Sequence, residues 1–517
     1  MGKTFLTKKN NAKSTITDNP LLIGAGLLNV AIGDGGKFPD APFHATLYTT
    51  DPALGEIVKI TAKAGDQFTI TRAQEGTTAQ EWPGSTRLEL LITAKLLNDF
   101  QTRTEIVVAT DGSGDYNCDG TDDQTELNEA INNLPAGGGI VRVKKGTYLL
   151  TGVVEISKNN VIFEGEGPGT IIRAANNSNL SDVFRIGNGG VTGYSNICVR
   201  DLMIDGNGAN QSAGNASPLV IWGAAGDKHT RLCIENCYLT GSRLDCMKLI
   251  AVEDGVIKNN FIYSNTGTGI GLFSSSQYNT IFGNVLASNT YGLYDNACNY
   301  NTISGNVVRN NTYGIYVASG WRENISGNTF FTSTNYGVYL VGAQRVTVTG
   351  NNFYGDSWSI VVGNSSSITK YNVITGNVIA YPSTIGIALY YGSGTTIHNV
   401  VSGNHIFGPG QHGIYVYASS FNTIVGNAID GASRNANNSY NSIHLSDNGG
   451  TYSTYNVISS NNCQGTQANK PAYHVREQGV SDDYNLVIGN ICKDGVTGQI
   501  SLQGANSVRG TNIPNAG

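Results

Sequence analysis

A chain of 517 residues with net charge −6 and a pI near 5.7 lacks the basic footprint that a nucleic-acid partner requires. Charged residues are only 14%, yet 39% of the chain is hydrophobic and 26 residues are Tyr, so disorder is excluded; with 66 Gly the composition reads as all-β with many turns. No run of about 18 apolar residues occurs, so no membrane partner is expected.

Residues 1–19 are polar and rich in Lys, Asn and Thr, and are expected to be flexible. They hold no apolar core of a secretion signal, which predicts synthesis in a cytoplasm and exit by lysis or within a particle. Residues 20–93 read as short strands and hairpins, with Ala64, Gly65 and Asp66 as a turn. Residues 94–105 read as a short neck helix or linker. Residues 106–172 read as a cap at the start of a longer array. Within it Asp122 or Asp123 is a helix N-cap, Leu127, Ala130, Ile131 and Leu134 have helical spacing, and Pro135 to Gly139 ends the helix. The same stretch holds Asp115, Asn117 and Asp119, half of a calcium loop without a well-placed closing Glu; no cofactor is otherwise expected.

Residues 173–517 repeat. "NTIFGN" at 279–284 recurs as "NTISGN", "ENISGN", "VTVTGN", "NVITGN", "NVVSGN", "NTIVGN" and "NLVIGN", with "NVISSN" at 456–461 as a variant. The last Asn falls at 284, 306, 328, 351, 377, 404, 427, 461 and 490, with Asp201, Asn236 and Asn260 as earlier counterparts. Three residues before and two after each stand apolar residues flanked by polar ones, from Cys198, Cys233 and Ile257 to Val487, and from Met203 and Ile262 to Cys492. That is strand alternation with one buried face. A period of 22–27 residues, with Leu too sparse for leucine-rich repeats, predicts a right-handed parallel β-helix of about 12–14 coils. The Asn residues would stack as an amide ladder, and the Gly before each would relieve crowding or supply a positive φ. The eight Cys are expected to be free, several of them in the core.

Residues 114–150, with "VIFEGEGPGTIIR" at 161–173, resemble the opening module of pectate-lyase-superfamily β-helices found in phage tailspikes. The coils from 236 onward resemble the periplasmic copper-processing and uronan-epimerase type of repeat, and residues 20–93 resemble small β-domains of phage tail fibres. The resemblance implies a virion tailspike: attachment to the phage tail or baseplate through the N-terminal domain, a homotrimer, and a bacterial surface polysaccharide as partner. Hydrolase or lyase activity against that glycan is the leaning. A non-enzymatic receptor-binding fibre and a free polysaccharide lyase or epimerase are the alternatives. The "DPH", "NTD…DD…HG" and "WIDH" signatures of related enzymes are absent.

Glycan chemistry needs outward groups on neighbouring coils. "YGLY", "YGIY", "YGVY" and "HGIY" place an outward column at Lys248, Gly271, Tyr294, Tyr316, Tyr339, Val361, Ala388, Tyr415, His444 and His474, which is either a stacking ladder or a sugar platform. The first candidate site is catalytic Asp245, Lys248 and Asp295, with Trp222, Arg243, Tyr294, Tyr316, Tyr339 and Tyr415 as substrate contacts and a notch at Gly271. The second is His444, His474 and Asp447.

Overall fold

A computed structural model of the protein describes residues 12–91, 104–190, 192–224, 226–364, 367–390 and 395–513. They fall into two units, divided between residues 103 and 104.

The first unit is a six-stranded antiparallel sheet in the order Lys13–Thr15, Arg87–Glu89, Phe43–Tyr48, Glu56–Ala64, Gln67–Gln74, Leu27–Asn29. Its central hairpin turns at Gly65 and Asp66, as the sequence predicts. Strand alternation puts Val58, Ile60 and Phe68 on one face, where they pack with Leu28, Phe38, Phe43, Trp82 and Leu88. Glu56 is buried in that core and is satisfied by Arg72 at 2.6 Å and Trp82 Nε1 at 2.9 Å. The segment 1–19, expected to be flexible, contributes a strand: Ala12, Ser14 and Ile16 alternate onto the core while Lys13–Thr15 pairs with Arg87–Glu89. The neck expected at 94–105 lies outside the described residues up to 103, and Glu105 opens the first strand of the second unit.

The second unit winds through three parallel sheets. Each coil visits sheet III, then sheet I, then sheet II; one such coil is Thr280–Phe282, Val285–Ala287 and Tyr291–Asn296. Among the described residues sheets I and II each hold 14 strands, from Gly146–Leu150 to Ile491–Lys493 and from Val154–Ile156 to Ile500–Ser501. Inside, like residues stack coil on coil: Ile281 on Ile303 on Ile325, Leu286 on Val308 on Phe330, Leu293 on Ile315 on Val338. All of these are fully buried, so every coil closes the next one's core. The helix Gln124–Asn132 covers the open end with Leu127, Ala130 and Ile131. Asp123 precedes it, but its carboxylate accepts from Gly120 N–H and Leu149 N–H rather than from the helix. Among the described residues no helix is long and apolar enough to cross a membrane.

The predicted Asn ladder runs from Asn260 to Asn512 at the bend from sheet III to sheet I. In each step Oδ1 accepts from the Asn below and Nδ2 donates to a backbone carbonyl, as when Asn328 bonds Asn306, Ile303 and Asn351. Two further ladders were not anticipated. One, between sheets II and III, includes Asn279, Asn301, Asn372, Asn399, Asn422, Asn456 and Asn485. The other, between sheets I and II, includes Asn265, Asn289 and Asn311. Where Gly precedes a first-ladder Asn it is there for conformation: Gly305, Gly327 and Gly403 have φ of 63°, 63° and 60°, with open space where a Cβ would point.

The register corrects the earliest coils. Val199 and Ile234 stack on Ile257, so Ile204, Val199 and Ile234 face inward while Cys198, Cys233 and Met203 do not. Asp201 and Asn236 occupy the positive-φ position that Gly takes later, and Cys237 stands at the ladder position, donating its N–H to Asn260. Alternation alone fixes a face only when register is known, and one residue of slip exchanges the faces. All eight Cys are free, but Cys198 and Cys233 are half-buried on the outside rather than in the core.

The residue before each second-ladder position is left-handed: Tyr278, Tyr300, Arg322, Arg345, Tyr371, His398, Phe421, Tyr455 and Tyr484 all have φ between 55° and 61°. Their side chains form an outer ridge, with Phe421 on Tyr455 and Tyr455 on Tyr484 at 4.9 Å each, and Arg322 over Trp321 at 4.1 Å.

Candidate functional site

Sheet II carries the outward groups that the sequence singled out. Its strands are kinked. In Tyr291–Asn296 both Tyr291 and Tyr294 face out, because Gly292 lies between them where a Cβ would come within 2.6 Å of the Gly314 carbonyl. Two outward columns result. One is Lys248, Gly271, Tyr294, Tyr316, Tyr339, Val361, Ala388, Tyr415 and His444. The other, missed in the sequence, is Thr268, Tyr291, Tyr313, Tyr336 and Trp358. Its signal was the first Tyr of each "YGxY", which simple alternation assigns to the wrong face.

Rings in the two columns touch along and across the rod. Tyr291 stacks on Tyr313 and Tyr316 on Tyr339 at 4.9 Å, and Tyr291 meets Tyr294 at 5.3 Å. Burial pushes the Tyr316 phenol up to about 12 and raises Tyr339 further, so both remain hydroxyl donors at neutral pH. Toward the C-terminal end Val361, Ile385 and Ala388 form an outer apolar patch covered by Tyr336, Tyr339, Trp358, Tyr390 and Tyr415.

Below the tyrosines the same face becomes ionic. Lys248 Nζ lies 3.5 Å from Asp245, and Asp245 Oδ1 accepts the Thr268 N–H at 3.1 Å. Two coils lower, Arg185 pairs with Glu155 at 2.6 Å and with Asp182 at 3.7 Å. Burial holds the Asp182 carboxyl above its usual range, against the pull of Arg185 and Lys248. Asp182 and Arg185 were missed, although "DVFR" has the same acid-to-cation spacing as "DCMK".

The structure brings Asp245, Lys248 and Tyr294 together and leaves Asp295 out. Asp295 points into the core, fully buried, accepting from Cys298 N–H and from Asn301 Nδ2. The Gly271 notch is filled, since a Cβ there would lie 2.4 Å from the Phe273 ring, which meets Tyr294 edge-on at 5.9 Å. Trp222 is exposed and lies over Gly189. Arg243 sits at the bend before sheet II, its Nη1 donating to the Gly214 carbonyl.

The second predicted site does not assemble. Above His444 the column continues to Arg476, not His474. His444 is held between Asn441 and Gln478, and burial depresses it to about 4. His474 lies at another position, bonding Ser442 at 2.9 Å and the Lys493 carbonyl at 2.8 Å; burial lowers it to about 4 as well. Asp447 accepts from the local Gly449 N–H. In the calcium candidate, Asp115, Asn117 and Asp119 each accept a separate backbone N–H, from Val107, Gly114 and Thr121.

The chain matches the family described as right handed beta helix region over residues 223–353 and 323–478. No functionally characterised, curated protein matches the sequence significantly. Among solved structures it is similar to PfbA, a surface adhesin of Streptococcus pneumoniae, at 16% identity over 63% of this chain and 90% of that one, with a TM-score of 0.53. It is also similar to the A-module of a mannuronan C-5 epimerase from Azotobacter vinelandii, at 18% identity over 81% and 99% of the two chains, TM-score 0.39. A third is the catalytic domain of a GH87 α-1,3-glucanase, at 14% identity over 98% and 90%, TM-score 0.45. Likeness at these identities is one of fold. Family match, coil order and register agree: the second unit is a right-handed parallel β-helix.

Proposed function

We propose that this protein is a phage tailspike whose sheet II binds an extended bacterial surface polysaccharide and cleaves it at the ionic end of that face. The observation that carries the reading is one continuous surface on which a double column of tyrosines leads into the Asp245–Lys248 and Asp182–Arg185 pairs. Tyrosine offers apolar ring surface and a hydroxyl together, which suits sugars with their C–H faces and O–H edges. The four coils that carry Tyr291, Tyr313, Tyr336 and Trp358, about 4.8 Å apart, give a track of roughly 15 Å, room for about three sugar units. Hydrolysis needs a proton donor and a carboxylate base or nucleophile. Asp182, whose carboxyl burial holds above its usual range, suits the donor, and Asp245, oriented by Lys248 and Thr268, suits the carboxylate. Two coils separate them, about 10 Å along the rod, which is nearer the wide spacing of an inverting pair with a water molecule between than the roughly 5 Å of a retaining pair. The first unit would anchor the spike to the phage tail, with three copies forming the spike.

One observation favours a purely adhesive spike instead: each carboxylate of the cluster is already within 4 Å of a cation. The test is binding and reducing-end release on a panel of bacterial capsules, lipopolysaccharides and uronans, with absorbance for unsaturated uronates read alongside. Tyr316→Ala is expected to weaken binding by about tenfold, the loss of one stacking partner. Asp182→Asn and Asp245→Asn are expected to bind normally and release no reducing ends. Binding without cleavage by the unmodified protein selects the adhesive reading. Absence of binding across the panel defeats both.

A further inference from the structure

We infer that Cys198, Cys233 and Glu235, on the outer face of sheet III, form a binding site for one thiophilic divalent cation of the zinc or cadmium class. This is independent of the glycan face, which lies on sheet II. Cys198 and Cys233 are in register on adjacent coils, and their sulfurs and a Glu235 carboxylate oxygen all lie within 4.8 Å of one another. A zinc-class ion holds thiolates at about 2.3 Å and carboxylates at about 2.0–2.2 Å, so one ion placed among these three atoms reaches each with small side-chain rotations. Three protein ligands would leave a fourth position to water.

The surroundings fit. Val199 and Ile234, which directly follow the two thiols, are inward and fully buried and pin the two strands. On the other flank runs a column of alternating charge, Arg142, Glu164, Arg200, Glu235 and Lys258, each paired to the next at 2.6–3.5 Å. In that column Glu235 Oε2 is committed to Lys258 at 2.6 Å, whereas Oε1 has only a long contact of 3.5 Å with Arg200. One oxygen is therefore available while the other keeps the column intact. Charge balances too: the ion replaces two thiol protons, so the neighbouring Arg and Lys meet no added positive charge. A disulfide suits the place less. In-register parallel neighbours stand about 4.8 Å apart, wider than the roughly 3.5–4.5 Å between Cβ atoms that a disulfide needs. The other six thiols are buried, which leaves this pair as the accessible one. Cys118, Asp123 and Glu126 also converge, but Asp123 there is committed to Gly120 and Leu149.

The experiment is a titration of the full-length protein with Cd2+ alone, in a phosphine reductant, following thiolate-to-metal absorbance in the ultraviolet and proton release at constant pH. The expected result is one ion per chain with about two protons released. The absorbance should vanish in Cys198→Ser and in Cys233→Ser, and Glu235→Gln should weaken binding by tenfold or more with both thiols still present. A full-strength signal in the Cys198→Ser/Cys233→Ser variant, or no one-to-one binding by the unmodified protein, overturns the site. Should the Ser variants misfold, the unmodified protein decides: Cd2+ must protect two thiols from a thiol reagent in the native state, and failure to protect them overturns the site as well.

Discussion

A ladder position inside a coil asks one side chain for an acceptor toward the N–H of the coil below and a donor toward a carbonyl. Asparagine supplies both; a carboxyl does so only while it holds its proton. Two acids occupy such positions. Glu323 replaces Asn in the second ladder, accepting the Asn301 N–H at 2.8 Å, and Asp356 replaces it in the third, accepting the Ser333 N–H at 2.7 Å. Burial pushes Glu323 and the neighbouring Asp295 upward, and Glu323 is raised further by Asp295. Asp356 stands apart from that pair, and burial brings it to about 7. Its Oδ2 has no partner among the described residues. A carboxyl whose folded pKa is raised stabilises the fold most below its unfolded value, and that contribution is lost as pH rises through the folded value. Asp356→Asn should therefore match the unmodified protein near pH 4 and exceed it at pH 8, by at most about 4 kcal/mol at roughly 1.4 kcal/mol per pKa unit. Urea midpoints at the two pH values check this; equal midpoints at pH 8 would show the acid to be ionised at no cost.

The ladders satisfy the buried backbone groups at the bends. Replacing Asn328 with Ala removes the acceptor for the buried Asn306 N–H and the donor to Ile303 and Asn351. The expected cost is about 2–4 kcal/mol, read as a shift in the denaturation midpoint, whereas Ser304→Ala on the outer face should change stability by less than about 0.5 kcal/mol. Much of this scale was legible in the sequence. "NTISGN" shows the inward Ile, the positive-φ Gly and the first-ladder Asn, and its opening Asn belongs to the second ladder, a reading that needed the stacking partner of Asn301 to be seen. Other parts were not legible because they depend on register or side-chain rotation. Cys198 and Val199 are neighbours, and only pairing tells which one faces in. The ring of Phe273 over Gly271 has no counterpart in spacing, and the kink at Gly292 reverses the face of Tyr291. Asp245 and Lys248 were found because charged pairs are rare in these coils; Asp182 went unseen because its coil lacks the repeat's signature.

At the scale of the whole β-helix, each coil touches only its neighbours, so stability is close to a sum of coil and interface terms, and the ends are where it frays first. The helix Gln124–Asn132 guards one end: Asn128 bonds Val153 O and Glu155 N, and Lys158 caps the carbonyls of Ile131, Asn132 and Leu134. Because Gly283–Asn284 and Gly305–Asn306 are equivalent junctions, excision of residues 284–305 joins like to like. The shortened protein is expected to fold, with a circular dichroism spectrum of the same shape and a thermal midpoint within a few degrees. Excision of residues 284–294 alone should give insoluble or molten material, since it removes the sheet I strand and most of the sheet II strand of one coil and so breaks the stacking across the cut.

The equivalence of those junctions also bears on heredity. Adjacent coils repeat one motif in phase, as "NTIFGN" and "NTISGN" do, so an in-frame duplication or loss of one repeat adds or removes a whole coil and leaves the rest of the β-helix undisturbed. Related proteins should then differ in length by steps of about one coil, with the capping helix and the first unit constant. A lineage can thus reset how far its surface reaches by counting repeats, without designing a new fold.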